Sequence, residues 1–208
     1  MTGVGAGTVR FAGRIAGFGT ASGTRIVAGL WEHSPFGAFA DVMLEDAVGH
    51  RTLLAPSDEV AEFVSSTYSF DEVRVVPVAR RRITGGLRVD AGGLEVRLLV
   101  GAMPPLGRLL RVVPPRIATA PLWLEAIDPV ARVIVPGVRT AGTAGGGRRE
   151  FYGVTTLRRI AWAGATLDGV DLGAFAALDP PVRFGFGSAP SEPHLVDLVT
   201  SIRMPAAP

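Results

Sequence analysis

The segment from residue 137 to residue 157 gathers the side chains best suited to chemistry in this sequence: Arg139, Arg149, Glu150 and Tyr152. Two arginines can hold a carboxylate or a phosphate through the paired hydrogen bonds of their planar guanidinium groups. A glutamate can orient an arginine or act as an acid or base, and a tyrosine hydroxyl can donate to a ligand oxygen. We therefore predict that these four residues form a ligand-binding site.

Strand geometry limits which of these side chains can act together. Two short strands rich in β-branched and aromatic residues flank a glycine-rich turn here. Successive side chains of a strand point to opposite faces, so Glu150 shares a face with Tyr152, and Arg149 shares the other with Phe151. We predict that Glu150 and Tyr152 face the interior together. The alternative is an Arg–Glu ladder on the outside of a sheet, with Phe151 or Tyr152 in the core.

The same residues carry a family resemblance. Residues 149–153, Arg-Glu-Phe-Tyr-Gly, resemble the Arg-Glu-x-aromatic-Gly strand of acetoacetate decarboxylase-like barrels, with residues 138–140 ahead of them as in some relatives. The decarboxylases of that family use a Schiff-base lysine, and this chain contains no lysine, so the resemblance implies the barrel and not the reaction. As a whole the chain resembles a family of actinobacterial hypothetical proteins, which implies no particular activity.

Composition excludes several classes of chemistry. All 21 Lys+Arg residues are arginine, and the formal net charge of +2 is too small to predict nucleic-acid binding. With 0 Cys there is no thiolate nucleophile and no cysteine metal site. The three histidines, His33, His50 and His194, lack the short spacing of metal ligands. We expect no metal and no cofactor, we assign no catalytic residue, and whether the protein is an enzyme stays open.

Hydropathy predicts no membrane partner and a cytoplasmic protein. The N-terminus lacks a basic segment followed by an apolar run, so no signal peptide is predicted. The most apolar window, residues 94–115, is interrupted by arginines and prolines and is too charged to span a bilayer.

The 27 Gly and 16 Pro are typical of many short strands joined by tight turns. We predict a mainly β, α+β fold in a single domain over residues 1–208, with flexible ends at residues 1–7 and 204–208. Its curved, largely antiparallel sheet closes toward a barrel and carries two or three short helices. The helices are expected to begin near Ser57, Pro104 and Pro121, and Pro129 is expected to end or redirect the last one.

Gly-Phe-Gly occurs twice, at residues 17–19 and 185–187. The first copy superficially matches a dinucleotide-binding loop, but no helical pattern follows it, and a hairpin is the better interpretation. The second copy is expected at the end of a strand over residues 182–187. The repeat predicts that the two ends of the chain pair side by side, with Phe18 and Phe186 buried close together.

The leading functional hypothesis is binding, with or without turnover, of a small anionic organic ligand in a cavity of the sheet. The alternative is a non-catalytic interaction or structural protein that uses the helix at residues 104–113 as its contact face. A homo-oligomer is compatible with either.

Overall fold

The computed structural model of the protein describes residues 7–135, 137–185 and 190–205, and within these it contains thirteen strands and four α-helices. The strands are β1 Thr8–Thr20, β2 Arg25–His33, β3 Phe39–Glu45, β4 Arg51–Ala55, β5 Glu72–Val75, β6 Val78–Ile83, β7 Gly86–Ala91, β8 Leu94–Val100, β9 Ala141–Thr143, β10 Arg149–Leu167, β11 Val170–Asp171, β12 Phe175–Ala176 and β13 His194–Arg203. The helices are α1 Asp58–Ser65, α2 Pro105–Leu110, α3 Pro115–Ala118 and α4 Pro121–Ile134.

One sheet contains every strand. Its main path runs β5-β4-β3-β2-β1-β13-β10-β8-β7-β6, and β9, β11 and β12 attach beside it. All pairs are antiparallel except β4 with β5, which are parallel and are connected through α1. The two end strands, β5 and β6, follow each other in the chain with two residues between them, so the sheet must curl. Among the described residues the end strands do not pair, and the sheet stays open. The predicted mainly β, curved and largely antiparallel sheet is confirmed.

The inside of the curl is filled by side chains. Strands β1 to β4 pack one face against β7, β8 and the second half of β10, and large residues such as Phe18, Leu30 and Leu98 are fully buried there. The residues that alternate with these on the same strands point to the other face of the sheet. There Ile15, Val27 and others form a second cluster with α1. Strands β1 to β4 are therefore buried on both faces, whereas β8 alternates buried and exposed residues.

The terminal strands lie side by side, as predicted. Strand β1 pairs with β13 from Thr8 opposite Arg203 to Gly17 opposite His194. Strand β13 also pairs with β10, so it is a central strand of the sheet. Phe18 is fully buried, whereas Phe186 lies outside the described residues. Residues 182–185 form no strand.

The predicted flexible ends fall mostly on residues 1–6 and 206–208, which lie outside the described part of the chain. Within it, Met204 donates a backbone hydrogen bond to the Gly7 carbonyl at 2.9 Å.

Strand β10 carries the chain from one half of the sheet to the other. The sequence predicts two separate strands here, at residues 150–155 and 160–167, but both belong to one strand of 19 residues. Its register shifts between Val154 and Thr156 and again between Ile160 and Trp162. Such bulges bend a strand, and β10 pairs with β13 before the second shift and with β8 after it.

Ser57 caps α1 as predicted, because its Oγ accepts a hydrogen bond from the Val60 N–H at 3.4 Å. The described residues contain four α-helices, where two or three were expected. The additional helix is α3, a single turn that begins at Pro115. The prediction that Pro129 ends the last helix is wrong, because α4 continues to Ile134. Proline removes one helical hydrogen bond, and the packing of Leu124, Ile127 and Ala131 around a pocket supports the helix across it. None of the helices in the described residues has the length and apolarity that a membrane crossing requires.

Candidate functional site

A pocket of about 430 Å³ lies on the face of the sheet opposite the filled core. This volume falls within the range of small-molecule sites, which is roughly 300–1,000 Å³. Strands β1, β2, β3, β10 and β13 form its floor, and side chains from α1, α2 and α4 form its walls. Most of the lining is apolar, and its charged or hydrogen-bonding side chains include Asp41, Tyr68, Arg139, Thr140, Tyr152, His194 and Thr200.

Glu150 lies beside this pocket, fully buried, with its carboxylate bonded to a lining residue. Its Oε1 accepts a hydrogen bond from the Tyr68 hydroxyl at 2.6 Å. Burial raises the pKa of Glu150 to about 7, although the Tyr68 hydrogen bond acts in the opposite direction. Its second oxygen, Oε2, has no hydrogen-bond partner among the described residues. A carboxyl group with such a pKa can be either neutral or charged near pH 7.

The turn that follows β9 holds Tyr68 in place. Gly145 donates its backbone N–H to the Thr67 carbonyl at 2.9 Å, and the Arg148 guanidinium bonds the Ser66 Oγ at 2.9 Å and the Thr67 Oγ1. A Cβ at residue 145 would lie 2.6 Å from the Ser66 carbonyl oxygen, so this close approach requires glycine. The arginine and glycine just before Glu150 thus fix the tyrosine that Glu150 binds.

Asp41 is a second buried carboxyl group, and it lines the pocket directly. Its Oδ1 accepts a hydrogen bond from the Trp31 Nε1 at 2.9 Å. Burial raises the pKa of Asp41 to about 7, against the opposing effect of that hydrogen bond. Gly29 lies directly opposite Asp41 in the sheet, and a Cβ there would come within 2.4 Å of the Asp41 Oδ1 and 2.7 Å of the Trp31 Nε1. The glycine therefore provides the space in which the indole reaches the carboxylate.

The two predicted partners Tyr152 and Glu150 do share a face, and Tyr152 lines the pocket. Thr200 lies directly opposite Tyr152 on β13 and also lines the pocket. The Thr200 side chain is almost completely buried, and its Oγ1 has no hydrogen-bond partner among the described residues.

The pKa of Tyr68 is raised well above its ordinary value, first by burial and then by the nearby Glu150, Tyr152 and Asp41. Asp41, Glu150 and the two tyrosines, Tyr68 and Tyr152, therefore form one cluster.

Arg139 lines the pocket next to a segment that Asp128 fixes. The Asp128 Oδ1 accepts hydrogen bonds from the Thr140 N–H at 2.7 Å and the Ala141 N–H at 3.2 Å. Burial acts to raise the pKa of Asp128, but these amides and the ion pair with Arg132 leave that pKa below its ordinary value. Helix α4, which carries Asp128, thus sets the position of the backbone that follows Arg139.

Arg149, the fourth predicted residue, lies elsewhere. Its guanidinium is 3.4 Å from the Glu125 carboxylate of α4, and both side chains are partly exposed to solvent. Phe151, the next residue of the same parity, is fully buried against Leu124 and Ala141. The structure thus brings Arg139, Tyr152 and the Tyr68–Glu150 pair to the pocket and places Arg149 on the other face of β10.

His194 supplies a neutral hydrogen-bonding group to the lining. Its Nδ1 is 2.9 Å from the Glu192 carbonyl oxygen, which can only accept, so Nδ1 carries the hydrogen and Nε2 is an acceptor. Burial lowers the pKa of His194, which keeps the ring uncharged near pH 7. Over residues 7–135, 137–185 and 190–205, no three His, Asp or Glu side chains form a group that could hold a metal ion.

Sequence reasoning did not select Asp41, Tyr68, Asp128 or Thr200. Asp41 carried a usable signal, since it is a carboxylate in the middle of a mostly apolar strand. Tyr68 carried another, because the chain has only two tyrosines and the other was already selected. Thr200 carried none, since threonine is common in strands.

No protein-family model and no curated protein matches the sequence. Among solved structures, the fold is similar to that of acetoacetate decarboxylase from Legionella pneumophila, with 8% identical residues and a TM-score of 0.48. The match covers 96% of this chain and 86% of that one. The function proposed below rests on the pocket alone.

Proposed function

We propose that the protein binds a small, largely apolar organic acid in the pocket, with the ligand carboxylate beside Arg139. The observation that carries this proposal is the combination of a mostly apolar cavity of about 430 Å³ with one arginine in its lining. Of the described residues that line the pocket, Arg139 is the only one with a permanent positive charge.

The electrostatics of the lining favour this arrangement. A carboxylate leaves water for an apolar pocket only at a high cost unless a positive group and hydrogen bonds compensate for its hydration. Arg139 supplies such a charge, and the Tyr152 hydroxyl can donate to a ligand oxygen. The raised pKa values of Asp41 and Glu150, both about 7, allow these acids to be neutral when the anion enters.

The alternative function is less well supported. In the segment 104–113, which the alternative uses as a contact face, the apolar side chains of Leu106, Leu110 and Val113 line the pocket. Leu109 and Val112 remain exposed at 60% and 77%, a small remainder for a contact surface. The single-domain organisation over residues 1–208, the cytoplasmic location and the open question of homo-oligomerisation stay with this proposal as sequence-based expectations.

Isothermal titration calorimetry with decanoate and decanol tests the proposal. Decanoate should bind, and Arg139→Lys should weaken it by roughly tenfold, because lysine lacks the planar fork that matches a carboxylate. Decanol should bind both proteins with similar affinity. Arg108→Lys is the matched control, since Arg108 is exposed on α2 and does not line the pocket.

Two results would refute the proposal. Equal decanoate affinity for Arg139→Lys and the unaltered protein would remove Arg139 from the site. An absence of binding by either probe, in protein that melts cooperatively, would show that the pocket does not take apolar acids.

A further inference from the structure

The pocket contains two hydroxyl groups whose hydrogen-bonding capacities are complementary. Tyr68 donates its hydrogen to the Glu150 Oε1 at 2.6 Å, so the Tyr68 oxygen can offer a ligand only its lone pairs. The Thr200 Oγ1 has no partner among the described residues, so its hydrogen can be donated to a ligand. Both residues line the pocket.

Strand register places these groups in one neighbourhood. On β10 and β13, Tyr152 pairs with Thr200 and Glu150 pairs with Ile202. Glu150 is therefore the diagonal neighbour of Thr200 on the same face, with their Cβ atoms within roughly 7–8 Å. Tyr68 lies over Glu150 through its hydrogen bond.

We propose that Thr200 and Tyr68 form a subsite for a ligand hydroxyl, with Glu150 as the positioning residue that fixes the direction of the Tyr68 hydrogen. The inference rests on the proposed function, and it narrows the ligand from an apolar acid to an apolar hydroxy acid. The hydroxyl accepts a hydrogen bond from Thr200 and donates one to the Tyr68 oxygen.

Other ligand groups fit this pair less well. A ketone oxygen can accept from Thr200 but offers no hydrogen to Tyr68. A carboxylate at this position would also lack a hydrogen for Tyr68. A hydroxyl is both donor and acceptor, and a buried site that is built for one discriminates against analogues that leave its polar groups unpaired.

The test uses calorimetry with decanoate, the set of monohydroxydecanoates that carry the hydroxyl on each chain carbon in turn, and the matching oxodecanoates. At least one hydroxy acid should bind the unaltered protein roughly fivefold to tenfold more tightly than decanoate. Thr200→Val should abolish this preference, because it replaces the hydroxyl with a methyl group of similar size. Thr200→Ser keeps the hydroxyl and should keep the preference, which separates a binding role from a structural one.

The possible failures can be told apart. If decanoate binds but no hydroxy acid is preferred, or if Thr200→Val keeps the preference, the subsite is refuted and the proposed function stands. An oxodecanoate that binds as tightly as its hydroxy analogue would also overturn the subsite, because Tyr68 would then contribute no selectivity. If no acid binds the unaltered protein, the proposed function itself fails and this subsite fails with it.

Discussion

The buried carboxyl of Asp41 should make the stability of the protein fall as the pH rises. Its pKa is raised from 3.8 to about 7 by burial, so the folded state keeps the proton while the unfolded chain releases it. Asp41 therefore contributes no penalty below about pH 4, a growing penalty from there to about pH 7, and a constant penalty above that. Replacement by asparagine keeps an acceptor for Trp31 and removes the titration.

The size of this effect follows from the two pKa values. Each tenfold change in a proton equilibrium is worth about 1.4 kcal/mol, so the full displacement corresponds to about 4 kcal/mol. Between about pH 5 and pH 8 the linkage gives a change of about 2.5 kcal/mol. Over that interval the free energy of unfolding of the unaltered protein should fall by this amount relative to Asp41→Asn.

Urea unfolding at a series of pH values measures the difference directly. Contributions from Glu150, whose pKa is raised, and from His194, whose pKa is lowered, are present in both proteins and cancel in the difference. Glu62→Gln is the control, since Glu62 is exposed on α1 and does not line the pocket. Parallel curves for Asp41→Asn and the unaltered protein would show that Asp41 is ionised in the folded state throughout, and the account of its burial would be wrong.

Three further predictions concern the supports of the pocket. Gly29→Ala should lower the free energy of unfolding in urea by about 1–3 kcal/mol, since the new Cβ would lie 2.4 Å from the Asp41 Oδ1. Gly17→Ala should lower it less, because its nearest contact is at 3.1 Å, and equal losses for the two variants would contradict this. Deletion of residues 192–208 should give an aggregating chain in sedimentation and melting experiments, because β13 lies between β1 and β10, and a soluble, cooperatively melting truncation would contradict it. Asp128→Ala should weaken decanoate binding by releasing the backbone that follows Arg139, and unchanged calorimetric affinity would show that this segment needs no anchor.

The hairpins and the fold class could be predicted because their signals are local. Runs of β-branched and aromatic residues favour strands, and glycine-containing turns join β1 to β2, β3 to β4 and β7 to β8. The extent of β10 could not be predicted in the same way. The sequence predicts its two halves as separate strands. Pairing with β13 and then with β8 keeps the backbone extended through the two bulges between them.

The candidate site was predictable only along β10. The alternation of side chains along a strand predicted that Glu150 and Tyr152 share one face of β10, and in the structure they do. The groups that complete the cluster, Asp41, Tyr68 and Thr200, come from segments far apart in the chain, and strand order brings them together. Strand order depends on long-range pairing that a single sequence does not encode locally. Arg149 lies on the other face of β10, as its place in the strand predicts, and it forms an ion pair with Glu125 of α4.

The glycines of the central strands show how strands that are buried on both faces can hold polar side chains. Gly29 lies directly opposite Asp41, and Gly17 lies directly opposite His194. In each pair a Cβ on the glycine would press against the polar side chain or its neighbour, at 2.4 Å for Asp41 and 3.1 Å for the His194 ring. Glycine in a strand lowers the stability of that strand, because its backbone loses more conformational freedom on folding. At these two positions the missing side chain leaves space for the polar group on the neighbouring strand. At both positions a glycine inside a strand therefore lies opposite a buried polar residue on the neighbouring strand.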